Sequence, residues 1–384
     1  MVKHTRDVAV ISGLVYFTQG ALGIAGIALP LYLRGLQWSV SDITIIMSAA
    51  ASPWVFKIFC GLLSDTLPLL GYRRKSYLVL YSLVAAAGWL LLVILPAEKR
   101  WVMVCLFMTN LGFAATDVIT DGLIVEHSTS LTSSIYQSIA WGSRSVGAIF
   151  SGFLGGWLAA HWPPKDVFLL TMLLPLSVTA LVTWLREKKI KKGPFESPMT
   201  PVLRCLKLVL GSNLKWFTAI LLISSISSTF GIPFFFFMKE SLGFRETFLG
   251  LLSSLGWSGA LLGSFIYMRW IRKIPIKDTL RWAIVVNSLN ILSTLLIWDH
   301  RTAFLLVFVG GVMMYLTVLP IMSSAATLTH HTGVEGTLFA LLMSIYNFGQ
   351  IFFGFLGGKV FARIGLYPLI WITGIAGLGG LFFV

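Results

Sequence analysis

Apolar residues run along this chain in long blocks separated by short polar breaks. The blocks fall at roughly 8–33, 43–64, 76–96, 101–126, 137–160, 166–185, 214–237, 246–270, 279–298, 302–322, 336–358 and 364–384. A helix rises about 1.5 Å per residue, so each block is long enough to cross a hydrocarbon layer of roughly 30 Å. Membrane β-strands would be about 10 residues long with strict alternation. The pattern therefore predicts an all-α membrane protein of twelve transmembrane helices. The longest polar break, about 186–213, carries the run REKKIKKGPFESP at mid-chain. It divides the chain into an N-terminal six-helix bundle (1–185), a cytoplasmic linker (186–213) and a C-terminal six-helix bundle (214–384).

The two halves repeat one another. The pentapeptide GFLGG occurs at 152–156 and again at 354–358, an offset of 202. Pro30 in PLYLRGLQWSVSDI has a counterpart in Pro233 of PFFFFMKESLGFRETF, an offset of 203. Each match places a helix on its counterpart six helices later. An even number of helices per unit makes the halves parallel, which is the arrangement of transporters of the major facilitator superfamily.

Composition agrees with the pattern and adds an orientation. Apolar residues make up 57% of the 384 and charged residues only 11%, where a soluble domain carries about 25%. The net charge of +14 suggests nucleic acid at first sight, but the cations lie at the ends of the apolar blocks. With the N-terminus inside, 18 Lys and Arg fall on the inner side and 9 on the outer, and Lys57 and Arg144 lie within spans. The positive-inside rule then puts both termini in the cytoplasm, for a multi-pass protein of the plasma (inner) membrane. No nucleic-acid partner is expected; the partners are the bilayer, a small-molecule substrate and a coupling proton, and a monomer is expected. Three distant cysteines (Cys60, Cys105, Cys205) imply no disulfide framework. The first apolar block is too long for a signal-peptide core and ends in no Ala-x-Ala site.

Ionisable side chains inside a membrane are costly and point to function. Lys57 lies in the second helix, Asp117 and Asp121 in the fourth, Arg144 in the fifth. Counted from the cytoplasmic ends, Lys57 and Arg144 are about eight residues deep, and Asp121 and Asp117 about six and ten. These depths agree within roughly 6 Å. The two aspartates, four apart, share a helix face. The set reads either as a polar cluster in a central cavity, binding a charged substrate or passing a proton, or as an ion-pair knot tying three helices together. Gln19 and Trp141 belong to the same candidate set. The second half offers Tyr346, Asn347 and Gln350, with Trp257, and Tyr346 falls opposite Arg144 at the repeat offset. The fifth helix also carries a ladder of small residues, Ser143, Gly147, Ser151, Gly155 and Ala159, that suits close helix packing.

The loop GLLSDTLPLLGYRRKSY resembles the signature loop of the major facilitator superfamily, with TLPLL as extra residues between Asp65 and Gly71. That resemblance implies a cytoplasmic gate made of Asp65, Arg73 or Arg74, and Glu126. All six histidines fall at block ends or in loops, and there is no H-E-x-x-H and no Walker A lysine loop, so neither metal ion nor cofactor is expected. One enzyme alternative remains: the D-x-x-x-D spacing of Asp117 and Asp121 could bind Mg²⁺ and a diphosphate.

Several stretches together resemble the folate–biopterin transporter family, a branch of the same superfamily. They are YFTQGALGIAGIALPLYL (16–33), SPWVFKIFCGLLSDTLPLLGYRRKSYLVL (52–80), TDVITDGLIVEHS (116–128), YQSIAWGSRSVGAIFSGFLGG (136–156), ESLGFRETFLGLL (240–252), RKIPIKDTLRW (272–282) and TGVEGTLFALLMSIYNFG (332–349). The resemblance implies uptake of folates or pterins by proton-coupled symport with alternating access; the alternative within the same fold is a transporter of another solute, such as S-adenosylmethionine, a nucleoside-like solute or another organic anion. On that reading Lys57 and Arg144 bind carboxylates, an aspartate of the fourth helix pairs the pterin edge or carries the proton, and Trp141 stacks on the ring.

Overall fold

A computed structural model describes residues 2–127, 133–185, 187, 189, 199–212, 214–329 and 335–384. Most of the basic run at 186–198 lies outside them. The described residues form thirteen helical segments: α1 (Asp7–Gly35), α2 (Val40–Thr66), α3 (Lys75–Ile94), α4 (Lys99–His127), α5 (Ser133–His161), α6 (Pro164–Thr183), α7 (Met199–Gly211), α8 (Leu214–Ser241), α9 (Glu246–Lys273), α10 (Ile276–Leu296), α11 (His300–Thr329), α12 (Glu335–Ile364) and α13 (Leu366–Phe383). Eleven of them, all but α5 and α7, are long and apolar enough to cross a membrane. At 29 residues α5 is long enough, but its run of Ser, Gly and Arg144 makes it less apolar than the rest. Among the described residues the β pairing is an isolated bridge between Leu69 and Tyr72.

Proline and glycine decide where the long helices are interrupted. α2 breaks at Ala51–Ser52, ahead of Pro53, because proline lacks the N–H that would continue the ladder. α8 passes through a 3₁₀ turn at Ile226–Thr229 ahead of Pro233 and ends in a π turn at Phe237–Ser241.

The chain forms two compact units. Unit 1 comprises Met1–Tyr32 and Ala50–Pro198; unit 2 comprises Leu33–Ala49 and Met199–Val384. The boundary therefore differs from the polar linker. The C-terminal end of α1 and the start of α2 cluster with unit 2, where Arg34 pairs with Glu240 at 2.6 Å and the Ser41 hydroxyl donates to the Gly358 carbonyl at 2.6 Å. The helical segment α7, inside the stretch read as linker, also belongs to unit 2.

Within unit 1, α1 packs on α5, α2 on α4, and α3 on both α4 and α6. Within unit 2, α8 packs on α12, α9 on α11, and α10 on both α11 and α13. The pairings are the same under a shift of one six-helix repeat. The core of unit 1 is built from Val8, Ile11 and Val15 of α1, Leu78 of α3, Ile119, Leu123 and Ile124 of α4, Ala140 of α5 and Val178 and Val182 of α6. Lipid tails are as apolar as these side chains, so helix association depends on close packing rather than on escape from water.

The small-residue ladder supplies that packing. A Cβ on Gly155 would come within 2.6 Å of the Gly23 carbonyl oxygen, and one on Gly147 would overlap the Phe17 carbonyl. Between them the Ser151 hydroxyl donates to the Gly20 carbonyl at 3.0 Å. In unit 2 the repeat-related Gly357 sits against the Thr229 backbone in the same way. The GFLGG repeat thus marks the place where the fifth helix of each half meets the first.

Candidate functional site

Four helices of unit 1 converge on the acidic pair of α4. Asp117 and Asp121 face α1, which runs antiparallel to α4, so positions rising along one helix meet positions falling along the other. Tyr16 donates its hydroxyl to Asp121 Oδ1 at 2.5 Å, and Gln19 donates Nε2 to Asp117 Oδ1 at 2.9 Å. From α2, Lys57 Nζ reaches Asp117 Oδ2 at 2.6 Å. Asp117 is thereby enclosed, with 6% of its side chain accessible against 16% for Lys57. The Lys57 ammonium also lies 5.5 Å from the Trp54 ring, whose indole N–H donates to Asn110 Oδ1 at 3.0 Å.

Arg144 of α5 completes the group in a different manner. Its guanidinium lies 5.3 Å from the Trp141 ring centroid, and that ring lies 6.1 Å from Tyr16. Among the described residues the guanidinium forms neither a hydrogen bond nor an ion pair. Among the described residues the site therefore holds one ion pair, Lys57–Asp117, and two further ionisable side chains, Arg144 and Asp121, that are in no ion pair. Among the described residues Gln19 Oε1 is buried with no hydrogen-bond partner. Its amide cannot be turned over, because that would set an oxygen against Asp117, so this acceptor stays open for a donor.

The Lys57–Asp117 pair makes a stability prediction. Removing one partner of a buried pair strands the other charge and costs about 3–5 kcal/mol. Lys57→Met is expected to lower the melting temperature of the purified protein sharply, and the double variant Lys57→Met with Asp117→Asn to recover most of the loss. A single variant as stable as the parent would show that the pair holds nothing together.

A second cluster ties the opposite ends of the unit 1 helices. The insertion TLPLL closes into a two-residue turn: Leu69 and Tyr72 exchange both backbone hydrogen bonds at 3.0 Å, with Leu70 and Gly71 at φ of 54° and 84°. Positive φ at both positions is the hairpin geometry that favours glycine. The turn delivers Arg74, buried at 4% exposure, into a nest of acceptors. Its guanidinium contacts Asp65 at 2.5 Å, Glu126 at 2.6 Å and the Ser64 hydroxyl at 2.7 Å. Burial by itself would lower its pKa, but the Glu126 and Asp65 carboxylates prevail and hold it above the ordinary arginine value. Of the two arginines that the sequence leaves open, Arg74 makes these contacts; among the described residues the Arg73 Nε is buried without a partner.

Glu187 is a participant that sequence reading misses. Its carboxylate accepts from the backbone N–H groups of Arg73, Arg74 and Lys75 at 2.7–3.2 Å, capping the start of α3. In return Lys75 Nζ donates to the carbonyls of Thr183 and Leu185 at the end of α6. A carboxylate suits a helix N-terminus and an ammonium a C-terminus. The sequence hides this exchange, since Glu187 stands in a run of cations. Sequence reading misses Tyr16, Trp54 and Asn110 as well, although Tyr16 lies one turn before Gln19, as Asp117 lies one turn before Asp121.

The second-half candidates belong to unit 2. Tyr346 and Gln350 lie one turn apart on α12, with Asn347 between them on the same helix. Trp257 of α9 makes an edge contact with Tyr315 at 6.5 Å.

Comparison with known proteins places the chain among relatives. A family model described as the BT1 family matches residues 19–368. The chain is 31% identical over 353 residues to a folate-biopterin transporter of Synechocystis sp., covering 88% of this chain and 71% of that protein. It is 26% identical over 437 residues to a probable folate-biopterin transporter 4 of Arabidopsis thaliana, covering 92% and 88%. Among solved structures, a POT family transporter in complex with 5-aminolevulinic acid superposes with a TM-score of 0.80 at 12% identity, covering 98% of this chain and 95% of that one. A D-xylose-proton symporter superposes with a TM-score of 0.71 at 15% identity, covering 99% of this chain and 97% of that one, so the fold is shared with both structures.

Proposed function

This chain belongs to the BT1 family, and on that premise we propose that it carries folate or a related pterin across the membrane. Family and relatives make it a multi-pass membrane transporter and not an enzyme. The finer reading adds alternating access driven by protons, with both termini in the cytoplasm of a cell bounded by the plasma (inner) membrane.

The observation that carries the reading is Arg144, a deep guanidinium stacked on Trp141 with no ion pair of its own among the described residues. A folate has a flat heteroaromatic head and an anionic glutamate tail. Arg144 would receive a tail carboxylate through its planar fork. Trp141 would stack on the ring. The open Gln19 Oε1 would accept from an amino or ring N–H of the pterin edge. Asp121, without a cation of its own, would carry the coupling proton. Lys57 stays on Asp117, so the carboxylate-binding role falls to Arg144. The cluster Asp65–Arg74–Glu126 would act as the cytoplasmic gate. A metal–diphosphate site at Asp117 and Asp121 is disfavoured, because Lys57 and Gln19 already occupy both oxygens of Asp117.

A thermal-shift panel on the purified protein tests the substrate. A ligand that binds the folded state raises the melting temperature, by about 2.7 kcal/mol of stabilisation at 100 times its Kd. Folate, methyltetrahydrofolate and biopterin are expected to raise it, and S-adenosylmethionine and amino acids to leave it unchanged. A panel flat for every pterin overturns the substrate; a response to S-adenosylmethionine alone reassigns it.

A further inference from the structure

We infer that α7 lies in the membrane–water boundary and binds anionic lipid headgroups along one edge. The inference rests on the geometry of this helix alone, independently of the substrate. With 13 residues, α7 is about 20 Å long and cannot cross a bilayer. At about 100° per residue its side chains fall into three sectors. Val202, Cys205 and Val209 share one sector, spanning about 60°, and are buried at 6%, 0% and 5% exposure. Cys205 and Val209 join the core of unit 2 with Phe217, Ile220, Leu280 and Leu338. The next sector is a stripe of leucines, Leu206, Leu210 and Leu203, exposed at 40%, 73% and 53%. The third holds Lys207 and Arg204, both exposed.

An exposed leucine stripe beside a basic edge, on a helix pinned to the protein by its third face, is the profile of an interfacial helix. Two observations identify the occupant as lipid. Positive charge borders the apolar stripe, which complements a phosphate headgroup layer above an acyl layer. The stripe also adjoins the entry of a span: α8 begins at Leu214, and there Lys215 lies 5.4 Å from the ring of Trp216, itself 48% exposed. An exposed tryptophan paired with a cation belongs at headgroup level. Leu203, Leu206 and Leu210 then dip into the acyl boundary, while Arg204 and Lys207 rest on phosphates.

The test uses the full protein reconstituted in vesicles of phosphatidylcholine alone or of equimolar phosphatidylcholine and phosphatidylglycerol. A fluorescent label is placed on Leu210→Cys in a Cys60→Ser background, since Cys105 and Cys205 are buried. Brominated phosphatidylcholine is expected to quench this label at least about twofold more than the same label on Arg204→Cys. Phosphatidylglycerol is expected to raise the melting temperature of the parent more than that of the Arg204→Gln, Lys207→Gln variant. Two results overturn the inference. One is a Leu210 label untouched by bromolipid, whether open to aqueous iodide or shielded by protein. The other is an equal response of parent and double variant to phosphatidylglycerol.

Discussion

Asp121→Asn is expected to abolish accumulation of substrate against its gradient while leaving exchange of substrate across the membrane in place. The carboxylate is deep in unit 1, and its partner is the Tyr16 hydroxyl at 2.5 Å rather than a cation. Its neighbour Asp117 is held by Lys57 at 2.6 Å. Of the two acids, Asp121 is therefore the one whose charge is not fixed by an ion pair, and an intramembrane acid of that kind is where a proton relay resides. Asparagine keeps the shape and the acceptor for Tyr16 but cannot take up or release a proton. In vesicles with an imposed pH gradient, the variant should bring substrate only to equal concentrations on both sides, while counterflow continues within a few fold of the parent. Asp117→Asn should behave differently: it leaves Lys57 unpaired and lowers the yield of folded protein. Gradient-driven accumulation by Asp121→Asn equal to that of the parent would remove this residue from proton coupling.

Arg144→Ala should cost substrate affinity without costing the fold. A hydrogen bond to a charged group contributes about 1.5–3 kcal/mol, so loss of the fork should weaken folate binding about 10–150-fold, since each 1.4 kcal/mol is tenfold. The side chain forms no ion pair among the described residues, so protein levels should hold. Arg144→Lys keeps the charge but loses the planar fork and much of the stacking on Trp141, and should fall between the two. Uptake of labelled folate and of biopterin by cells expressing each variant gives the discriminating comparison. Biopterin lacks the glutamate tail, so its uptake should suffer far less than that of folate. Equal losses for both would mean that Arg144 does not read the tail.

Depth counting along single helices was enough to bring Lys57 and Asp117 to one level, and they meet at 2.6 Å. It could not say that Asp121 would be left to Tyr16 and that Arg144 would stack on Trp141, because all four charges were compatible with any pairing. The loop GLLSDTLPLLGYRRKSY named the members of the Arg74 cluster, yet the choice between Arg73 and Arg74 depended on the turn at Leu70–Gly71, which sets the direction in which each side chain leaves the backbone. Glu187 gave no signal at all, since its role is to cap a helix more than a hundred residues earlier in the chain. The polar break at 186–213 read as one linker, but Val202, Cys205 and Val209 stand at helical spacing and fold α7 into unit 2.

What the sequence determined by itself are the properties that one dimension carries. Run length set helices that cross a bilayer, the offset of GFLGG set a six-helix repeat, and the scarcity of charge within spans singled out Lys57, Asp117, Asp121 and Arg144. What only the tertiary structure decided is which face each helix turns to its neighbours. The antiparallel pairing of α1 with α4 matches Tyr16 to Asp121 and Gln19 to Asp117. Contacts that fix rotation come from glycines such as Gly147 and Gly155 pressed on another helix's backbone. In lipid that choice of rotation depends on shape and hydrogen bonding between particular residues rather than on hydropathy, and hydropathy is what a sequence pattern records.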